Sequence, residues 1–219
     1  IININIHMKT YSNLLSLKEC DDFKMFWEQN KSNSYVNWEI ENEVLDRRLD
    51  VTPDHTEQWS IIKRITDQVF NETYDIWSAY QEQSFCHDIH IDDCMKDRLE
   101  YQRYTIILSL DSVPQFKTIV WQDECVDNEE LLKKIRLWEL KKNKKISSIS
   151  EHQDLEHTIE HNENYFCDYL NLDGIYTYEQ GGGAAFKATQ IHCTSNWKKY
   201  KQFTSRQLLQ IHVLADHIQ

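Results

Sequence analysis

Eight residues near the middle of the chain concentrate side chains that can bind a metal. Residues 86–93 read "CHDIHIDD", with two histidines, three aspartates and a cysteine. Because one residue separates His90 from Asp92, both side chains point to the same face of an extended strand, whereas on a helix they would diverge by about 200°. A histidine and a carboxylate on one strand face supply two of the three ligands of the 2-His-1-carboxylate triad, which binds Fe(II) and leaves other coordination positions open.

The His-x-Asp spacing is close to chance in a chain with ten histidines, so its sequence context has to identify the functional pair. His152 begins a second His-x-Asp, and His55 and His161 begin His-x-Glu look-alikes. His152 and His161 lie in a polar, helix-like region, and His55 stands at the start of a long helical pattern. Only His90 is followed closely by apolar, β-type sequence, which favours it as the metal-binding histidine.

The hydrophobic pattern predicts helices first and strands afterwards. Helical periodicity covers residues 16–30, residues 56–80 and, with a polar composition, residues 127–168. Strand-like runs rich in β-branched and aromatic residues cover residues 34–40, 101–110, 115–121, 174–180, 183–193 and 206–215. The order predicts an α+β arrangement with a mainly β, antiparallel core, and it is typical of a jelly roll.

Two residues in the later strands could complete the site. His192 ends the small-residue run "GGGAAFKATQIH" and is the candidate third ligand, although a lone histidine near a strand end is more often a hydrogen-bonded structural residue. Arg206 begins the next strand-like run. A buried arginine beside a metal needs a carboxylate partner, and its planar fork of donors suits a bidentate carboxylate, such as one end of a dicarboxylate co-substrate.

Four segments in this order resemble the Fe(II)/2-oxoglutarate-dependent oxygenases, in their prolyl-hydroxylase and phytanoyl-hydroxylase-like branch. They are "HID", "RYTIILSLD", "GGAAFKATQIH" and "TSRQLLQIHV", and the resemblance covers roughly residues 85–215. It implies a double-stranded β-helix in which His90, Asp92 and His192 bind Fe(II) and Arg206 binds the distal carboxylate of 2-oxoglutarate. It also implies a hydroxylase that uses O2 and releases succinate and CO2.

From the first residues of the chain, Met8 is the expected natural start, and the resemblance predicts one oxygenase domain over residues 8–219. Residues 8–84 are interpreted as N-terminal helical support, and residues 85–215 as the jelly-roll core. A helical insert at about 122–173 interrupts that core, and it is longer than a simple loop. The insert also carries histidines 152, 157 and 161 near helical spacing, for which a lid or a solvated decoration is favoured over a zinc site.

The alternation of side chains along strands predicts further neighbours of the site. Residues on the same strand face as a predicted site residue are expected to point inward with it. These are Ala188 and Gln190 beside His192, and Leu208, Gln210 and His212 beside Arg206. In the strand-like run 101–110, Thr105, Ile107 and Ser109 are expected to line the pocket. Tyr104 has the opposite parity, and a one-residue slip would reverse every assignment. Trp197 is expected to pack in the core rather than cover the site, and His87 to lie in a surface turn or contact a ligand.

Composition limits the partners and the compartment. The net charge of −12 disfavours nucleic acid, and the basic cluster at residues 133–145 is interpreted as a solvated helix face. Six cysteines without Cys-x-x-Cys spacing indicate reduced thiols and a cytoplasmic protein, and no apolar run reaches the roughly 20 residues of a membrane span. We expect a small-molecule or peptide substrate, and the sequence carries no signal for the oligomeric state.

Two other functions remain open from the residues alone. One is a cupin-like metalloenzyme that does not use 2-oxoglutarate, against which Arg206 argues. The other is a non-catalytic jelly-roll binding module in which His90 and Asp92 are only polar turn residues. The first would bind metal without the dicarboxylate, and the second would bind neither.

Overall fold

A computed structural model describes residues 7–70, 75–92, 102–141 and 169–214. Within these ranges there are three α-helices, namely α1 (Leu17–Asn30), α2 (Thr56–Phe70) and α3 (Asn128–Lys141). The strands there are β1 (Lys9–Tyr11), β2 (Tyr35–Ile40), β3 (Glu43–Asp50), β4 (Ile76–Gln83), β5 (Gln102–Ser109), β6 (Val113–Glu124), β7 (Leu172–Tyr178), β8 (Gly183–Lys187), β9 (Gln190–Thr194) and β10 (Arg206–Leu214).

The strands form two antiparallel sheets. The larger sheet has the order β1-β8-β5-β10-β4-β3-β2, and the smaller one has the order β7-β6-β9. Many neighbours in the sheets are distant in sequence, so the chain crosses repeatedly between positions that pair in space. This mainly antiparallel β architecture with few helices confirms the predicted fold class, a jelly-roll core supported by helices.

Helices α1 and α2 cover the outer face of the larger sheet. Ser16 caps α1: its hydroxyl accepts from the Glu19 backbone N–H at 3.2 Å, and its own N–H donates to the Glu19 carboxylate at 2.7 Å. The apolar sides of both helices pack on Ile106, Leu108, Leu209 and other outward-facing strand residues. Their burial holds the sheet from behind and leaves its opposite face for the site.

The inner faces of the two sheets form a second apolar cluster. It includes Ile107 and Leu208 from the larger sheet and Val120 and Tyr178 from the smaller one. Along β5 and β10, alternate residues therefore face the helices and the inner cluster, and Ile107 and Leu208 point inward as predicted. A third cluster packs α3 on the outer face of the smaller sheet.

Two of the predicted elements are corrected. The helix expected over residues 56–80 ends at Phe70, and residues 76–83 form β4, which pairs with β3 on one side and β10 on the other. The sequence "IWSAYQEQ" is too short to distinguish the hydrophobic period of a helix from that of a strand. Pairing with the neighbouring strands makes it a strand. The run 183–193 is two strands in different sheets, because the chain turns at Ala188 and Thr189.

Residues 8–84 contribute more than helical support. Strands β1 to β4 all join the larger sheet, so the N-terminal part builds four of its seven strands. The region predicted as an insert begins where β6 ends at Glu124 and closes where β7 begins at Leu172, and α3 forms its described helical part. Histidines 152, 157 and 161 lie outside the described residues. None of the described helices is long and apolar enough to cross a membrane.

Candidate metal and dicarboxylate site

The structure brings together His90, Asp92 and His192. Their ligand-capable side-chain atoms all lie within 4.8 Å of one another. Strand β9 carries His192, and His90 pairs with it through an isolated antiparallel bridge, with N–H to O distances of 2.9 and 2.8 Å. Asp92 is anchored two residues further on, where its N–H donates to the Ala188 carbonyl at 3.2 Å. An extended segment, rather than a regular strand, therefore gives His90 and Asp92 the predicted spacing.

Backbone carbonyls orient both imidazole rings. The Nδ1 of His90 lies 2.6 Å from the Asp88 carbonyl oxygen, and the Nδ1 of His192 lies 2.9 Å from the Gln190 carbonyl oxygen. A carbonyl only accepts, so each Nδ1 carries the proton, and each Nε2 is left as a lone-pair donor. Metal-binding histidines characteristically have their second nitrogen held in this way.

Asp92 is buried and held from three sides. The Thr105 hydroxyl donates to Oδ2, and the Gln210 amide nitrogen lies 3.4 Å from Oδ1. The His192 Nε2 lies 3.5 Å from the same Oδ1. The oxygen nearest the histidines is therefore Oδ1, while Oδ2 is used for positioning.

Electrostatics favour the deprotonated forms that a metal requires. Burial, assisted by the neighbouring His192, lowers the pKa of His90 to about 3, so this ring is neutral at pH 7. Burial by itself would raise the pKa of Asp92, but the neighbouring histidines, His192 first and then His212 and His90, together outweigh it and lower that pKa below its usual range. A neutral imidazole and an ionised carboxylate are the ligand forms that bind a divalent cation.

The three residues line one cavity of about 540 Å³ together with two arginines, Arg206 and Arg48. Arg206 begins β10 and is 4% exposed. Its Nε and Nη2 donate to the Gln83 side-chain oxygen at 2.8 and 2.5 Å, and its Nη1 donates to the Tyr178 hydroxyl at 3.0 Å. Among the described residues, no carboxylate lies within ion-pair distance of this guanidinium, so a buried cation faces the cavity with neutral partners only.

Arg48 differs from Arg206 in this respect. It lies on β3, and its Nε donates to Oδ2 of the buried Asp46 at 2.9 Å. Asn37 donates to the same oxygen at 2.8 Å. Arg48 was not predicted from the sequence, because its segment carries no motif and its position in the cavity depends on strand pairing.

The inward neighbours predicted from strand parity are largely where they were expected. Ile107, Leu208 and Gln210 line the cavity, Thr105 contacts Asp92, and the Ser109 hydroxyl lies 2.7 Å from the Tyr176 hydroxyl. Tyr104 has the opposite parity and stacks on Phe70 behind the sheet. His212 is buried and lies 4.8 Å from the ring of Trp77, measured between ring centroids.

Other predicted neighbours are placed differently. Ala188 is in the turn between two strands, and Gln190 donates to the Trp121 carbonyl and to Asp173 rather than lining the cavity. Trp197 packs against Phe116 in the core, as expected.

His87 lies closer to the site than a surface turn would place it. It lines the cavity, and its ring centroid lies 4.8 Å from that of His90. Burial lowers its pKa well below the usual range, with a contribution from His90. Among the look-alikes, His55 packs edge-on against Phe26 and takes part in no described metal-capable group.

Two glutamines of β4, Gln81 and Gln83, line the cavity and were missed by the sequence analysis. They alternate in "YQEQ", a strand signal that was hidden because the segment was interpreted as the end of a helix. Tyr178 was likewise unassigned, and only its contact with Arg206 identifies it.

The donor set fits a divalent transition metal. Two imidazole nitrogens and one carboxylate on one side of a cavity form the arrangement associated with non-heme Fe(II), with the other side open. A metal site also needs partners that hold its ligands in place, and here hydrogen bonds hold both Nδ1 atoms and the Asp92 carboxylate.

Comparison with known proteins finds likeness in structure and none in sequence. No protein-family model and no curated protein sequence matches the chain. The non-heme α-ketoglutarate-dependent carbocyclase SnoK from nogalamycin biosynthesis is 13% identical, with 95% of this chain and 80% of that chain covered and a TM-score of 0.60. The epimerase SnoN, in complex with Fe3+, α-ketoglutarate and nogalamycin RO, is 8% identical, with 95% and 79% covered and a TM-score of 0.58.

A third similar structure is the viral collagen prolyl hydroxylase vCPH from Paramecium Bursaria Chlorella virus-1, in its 2-oxoglutarate complex. It is 11% identical, with 98% of this chain and 99% of that chain covered and a TM-score of 0.52. At these identities the likeness establishes the fold. The chain has the jelly-roll fold of these 2-oxoglutarate-dependent enzymes, and the resemblance seen in the sequence is confirmed at that level.

Proposed function

We propose that this protein is an Fe(II)- and 2-oxoglutarate-dependent dioxygenase that hydroxylates a C–H bond of an amino acid, a peptidyl side chain or a small metabolite. His90, Asp92 and His192 would bind the iron, and Arg206 would bind the distal carboxylate of 2-oxoglutarate. The observation that carries the proposal is that a His-Asp-His group shares one cavity with a buried arginine that has no carboxylate partner among the described residues.

Each protein group has a role that follows from its contacts. The carbonyls that hold both Nδ1 atoms aim the Nε2 atoms inward, and the Thr105 hydroxyl prevents the Asp92 carboxylate from rotating. Gln83 and Tyr178 hold the Arg206 guanidinium in one plane for a bidentate carboxylate. When bound, iron together with 2-oxoglutarate and O2 supplies the oxidising chemistry, and the protein supplies position and electrostatics.

Hydroxylation is proposed over the other outcomes of this fold. By their names, the similar structures include an epimerase, a carbocyclase and prolyl hydroxylases, so the fold permits several outcomes. Asp92 supports hydroxylation by occupying the carboxylate position, which related halogenases leave without a carboxylate so that chloride can bind. The substrate is proposed to be a small molecule or a peptide, because the net charge of −12 disfavours nucleic acid.

A cytoplasmic location remains a prediction. The cysteines among the described residues, Cys20, Cys86, Cys125 and Cys193, are all free thiols, as the reduced-thiol interpretation requires.

Calorimetric titration tests the metal and co-substrate together. We expect the inert analogue N-oxalylglycine to bind with a 1:1 stoichiometry only when Mn(II), a stand-in for Fe(II), is present, and Asp92→Ala to abolish Mn(II) binding. Mn(II) binding without N-oxalylglycine binding would identify a metalloenzyme of another kind, and binding of neither would identify a non-catalytic module. Full oxygenase activity in Asp92→Ala would also refute the proposed site.

A second measurement tests the reaction. Amino acids and short peptides are screened for faster succinate release with Fe(II), O2 and 2-oxoglutarate. The product of a stimulating compound is then weighed by mass spectrometry. A gain of one oxygen atom supports hydroxylation, whereas an unchanged mass, or a loss of two hydrogen atoms, indicates the chemistry of an epimerase or a carbocyclase.

A further inference from the structure

Three glutamine side chains form a hydrogen-bonded chain between Arg206 and Asp92. The guanidinium donates to Oε1 of Gln83 at 2.8 and 2.5 Å, and Nε2 of Gln83 donates to Oε1 of Gln81 at 2.8 Å. Nε2 of Gln81 donates to Oε1 of Gln210, and Nε2 of Gln210 points to Oδ1 of Asp92 at 3.4 Å. The proposed carboxylate-binding residue and the proposed metal-binding carboxylate are therefore linked without a break.

The two ends of the chain determine its direction. A guanidinium can only donate, and an ionised carboxylate can only accept. Each amide between them has one accepting end and one donating end, so all three must point the same way to satisfy every contact. Turning one amide over would set two donors against each other on one side and two acceptors on the other, and each buried mismatch is costly.

Strand pairing creates this row of amides. Gln81 and Gln83 alternate on β4, and the register places Gln83 opposite Arg206 and Gln81 opposite Leu208 on β10. Gln210 follows two residues later on the same face of β10. The three side chains are buried, and burying an amide is favourable only when its hydrogen bonds are made. Apolar residues would fill the same space without that requirement, so the polar row calls for a role.

We propose that Gln81, Gln83 and Gln210 are positioning residues for the Asp92 carboxylate. Arg206 sets the direction of the hydrogen-bonded chain, and the chain in turn determines that a donor faces Asp92. Gln210 presents N–H rather than C=O to Asp92 because Gln81 holds its oxygen. Metal binding at Asp92 consequently depends on Gln81 and Gln83, which are hydrogen-bonded to other members of the chain and not to Asp92 itself. The inference rests on the proposed function, since it assumes that Asp92 binds a metal.

The test breaks the chain at its middle. Gln81→Leu alters a residue whose side-chain hydrogen bonds go to Gln83 and Gln210, not to Arg206 or Asp92. Mn(II) affinity is measured from the EPR signal of free Mn(II), without co-substrate or turnover. We expect Kd to rise about tenfold, the lower end of the range for losing an outer-shell partner. Gln207→Leu is the matched control: it is the same change on β10, but its side chain contacts Tyr80 and Glu82 instead. It should leave Kd within about twofold of the wild-type value.

A double-mutant cycle separates transmission through the chain from a general loosening of the pocket. If Gln81 acts through Gln210, then Gln81→Leu in a Gln210→Leu background should not change Kd further. Additive effects of the two substitutions, or an unchanged Kd in folded Gln81→Leu, would overturn the proposal. Should the leucine variant not fold, Gln81→Met, which keeps an unbranched side chain of similar volume, takes its place with the same expected loss. If the wild-type protein binds no Mn(II), the proposed function itself fails, which is a different outcome.

Discussion

The two arginines of the cavity should respond to substitution in opposite ways. Arg206 is buried beside neutral groups, whereas Arg48 is paired with the buried carboxylate of Asp46 at 2.9 Å. We therefore compare Arg206→Met with Arg48→Met, since methionine keeps much of the apolar length of the side chain and removes the charge. Because the substitution and the cavity are the same in both variants, a difference in ligand affinity or stability shows which arginine is already paired with a carboxylate of the protein.

The size of the effect follows from these contacts. A bidentate carboxylate on Arg206 makes two charge-assisted hydrogen bonds of about 1.5–3 kcal/mol each, so Arg206→Met should lose about 3–6 kcal/mol of binding energy. That loss raises the Kd for N-oxalylglycine by about 10²- to 10⁴-fold. Arg48→Met removes no bond to this ligand and should change its Kd by less than about threefold.

Stability should show the reverse order. Arg48→Met leaves the Asp46 carboxylate buried without its cation, which costs about 3–5 kcal/mol in unfolding free energy. Arg206→Met removes a buried cation whose described hydrogen-bond partners are neutral, and it leaves polar groups of Gln83 and Tyr178 to re-pair. We expect its unfolding free energy to lie within about 2 kcal/mol of the wild-type value.

Two assays check this crossover. Calorimetry with Mn(II) present gives the Kd of N-oxalylglycine, and urea denaturation gives the unfolding free energy of each ligand-free variant. The reasoning is refuted if Arg206→Met binds N-oxalylglycine within tenfold of wild type. It is equally refuted if Arg48→Met loses as much affinity as Arg206→Met while remaining as stable as the wild-type protein.

Three further predictions concern the supports of the site and the fold. Thr105→Val removes the hydroxyl that donates to the metal-facing carboxylate and should weaken Mn(II) binding about tenfold, while Thr118→Val in the other sheet serves as the control with unchanged Kd. Burial lowers the pKa of His212 to about 4, so the folded state takes up fewer protons than the unfolded chain below pH 6.5 and stability falls as the pH drops towards 4. This group should cost the metal-free protein about 2 kcal/mol between pH 7 and pH 5, and urea titrations of His212→Phe should show a correspondingly smaller pH dependence. Gly181 has a φ of 77°, and an added Cβ would lie 2.2 Å from a backbone carbonyl oxygen, so Gly181→Ala should lose about 3 kcal/mol of unfolding free energy. Gly182→Ala, whose added Cβ meets nothing nearer than 3.1 Å, should lose clearly less, and equal losses would contradict the argument.

Local pattern was informative where one face of an element meets the core. The apolar spacing in residues 16–30 identified α1, and alternation in β5 and β10 correctly divided Ile107 and Leu208 from Ile106 and Leu209. Burial on one face imposes a period that the sequence must carry. The pattern was less informative for β4, because a short apolar run between two strands satisfies either period.

The amino-acid sequence by itself determined which side chains could do the chemistry. The one-residue spacing of His90 and Asp92, the order in which His192 and Arg206 follow, and the parity of their strands are all properties of the local chain. Since side chains alternate along extended backbone, these properties hold before the strands find their partners.

Only the tertiary structure decided how those side chains meet. The turn at Ala188 moves His192 into the smaller sheet, where its backbone bridges to His90, a pairing across about 100 residues that no local period encodes. Pairing of β4 with β3 and β10 likewise aligned Gln81 and Gln83 into a directional chain and gave Arg48, but not Arg206, a carboxylate partner. Charge compensation and hydrogen-bond direction depend on which groups lie within about 3 Å in space, and that is set by strand register rather than by position in the sequence.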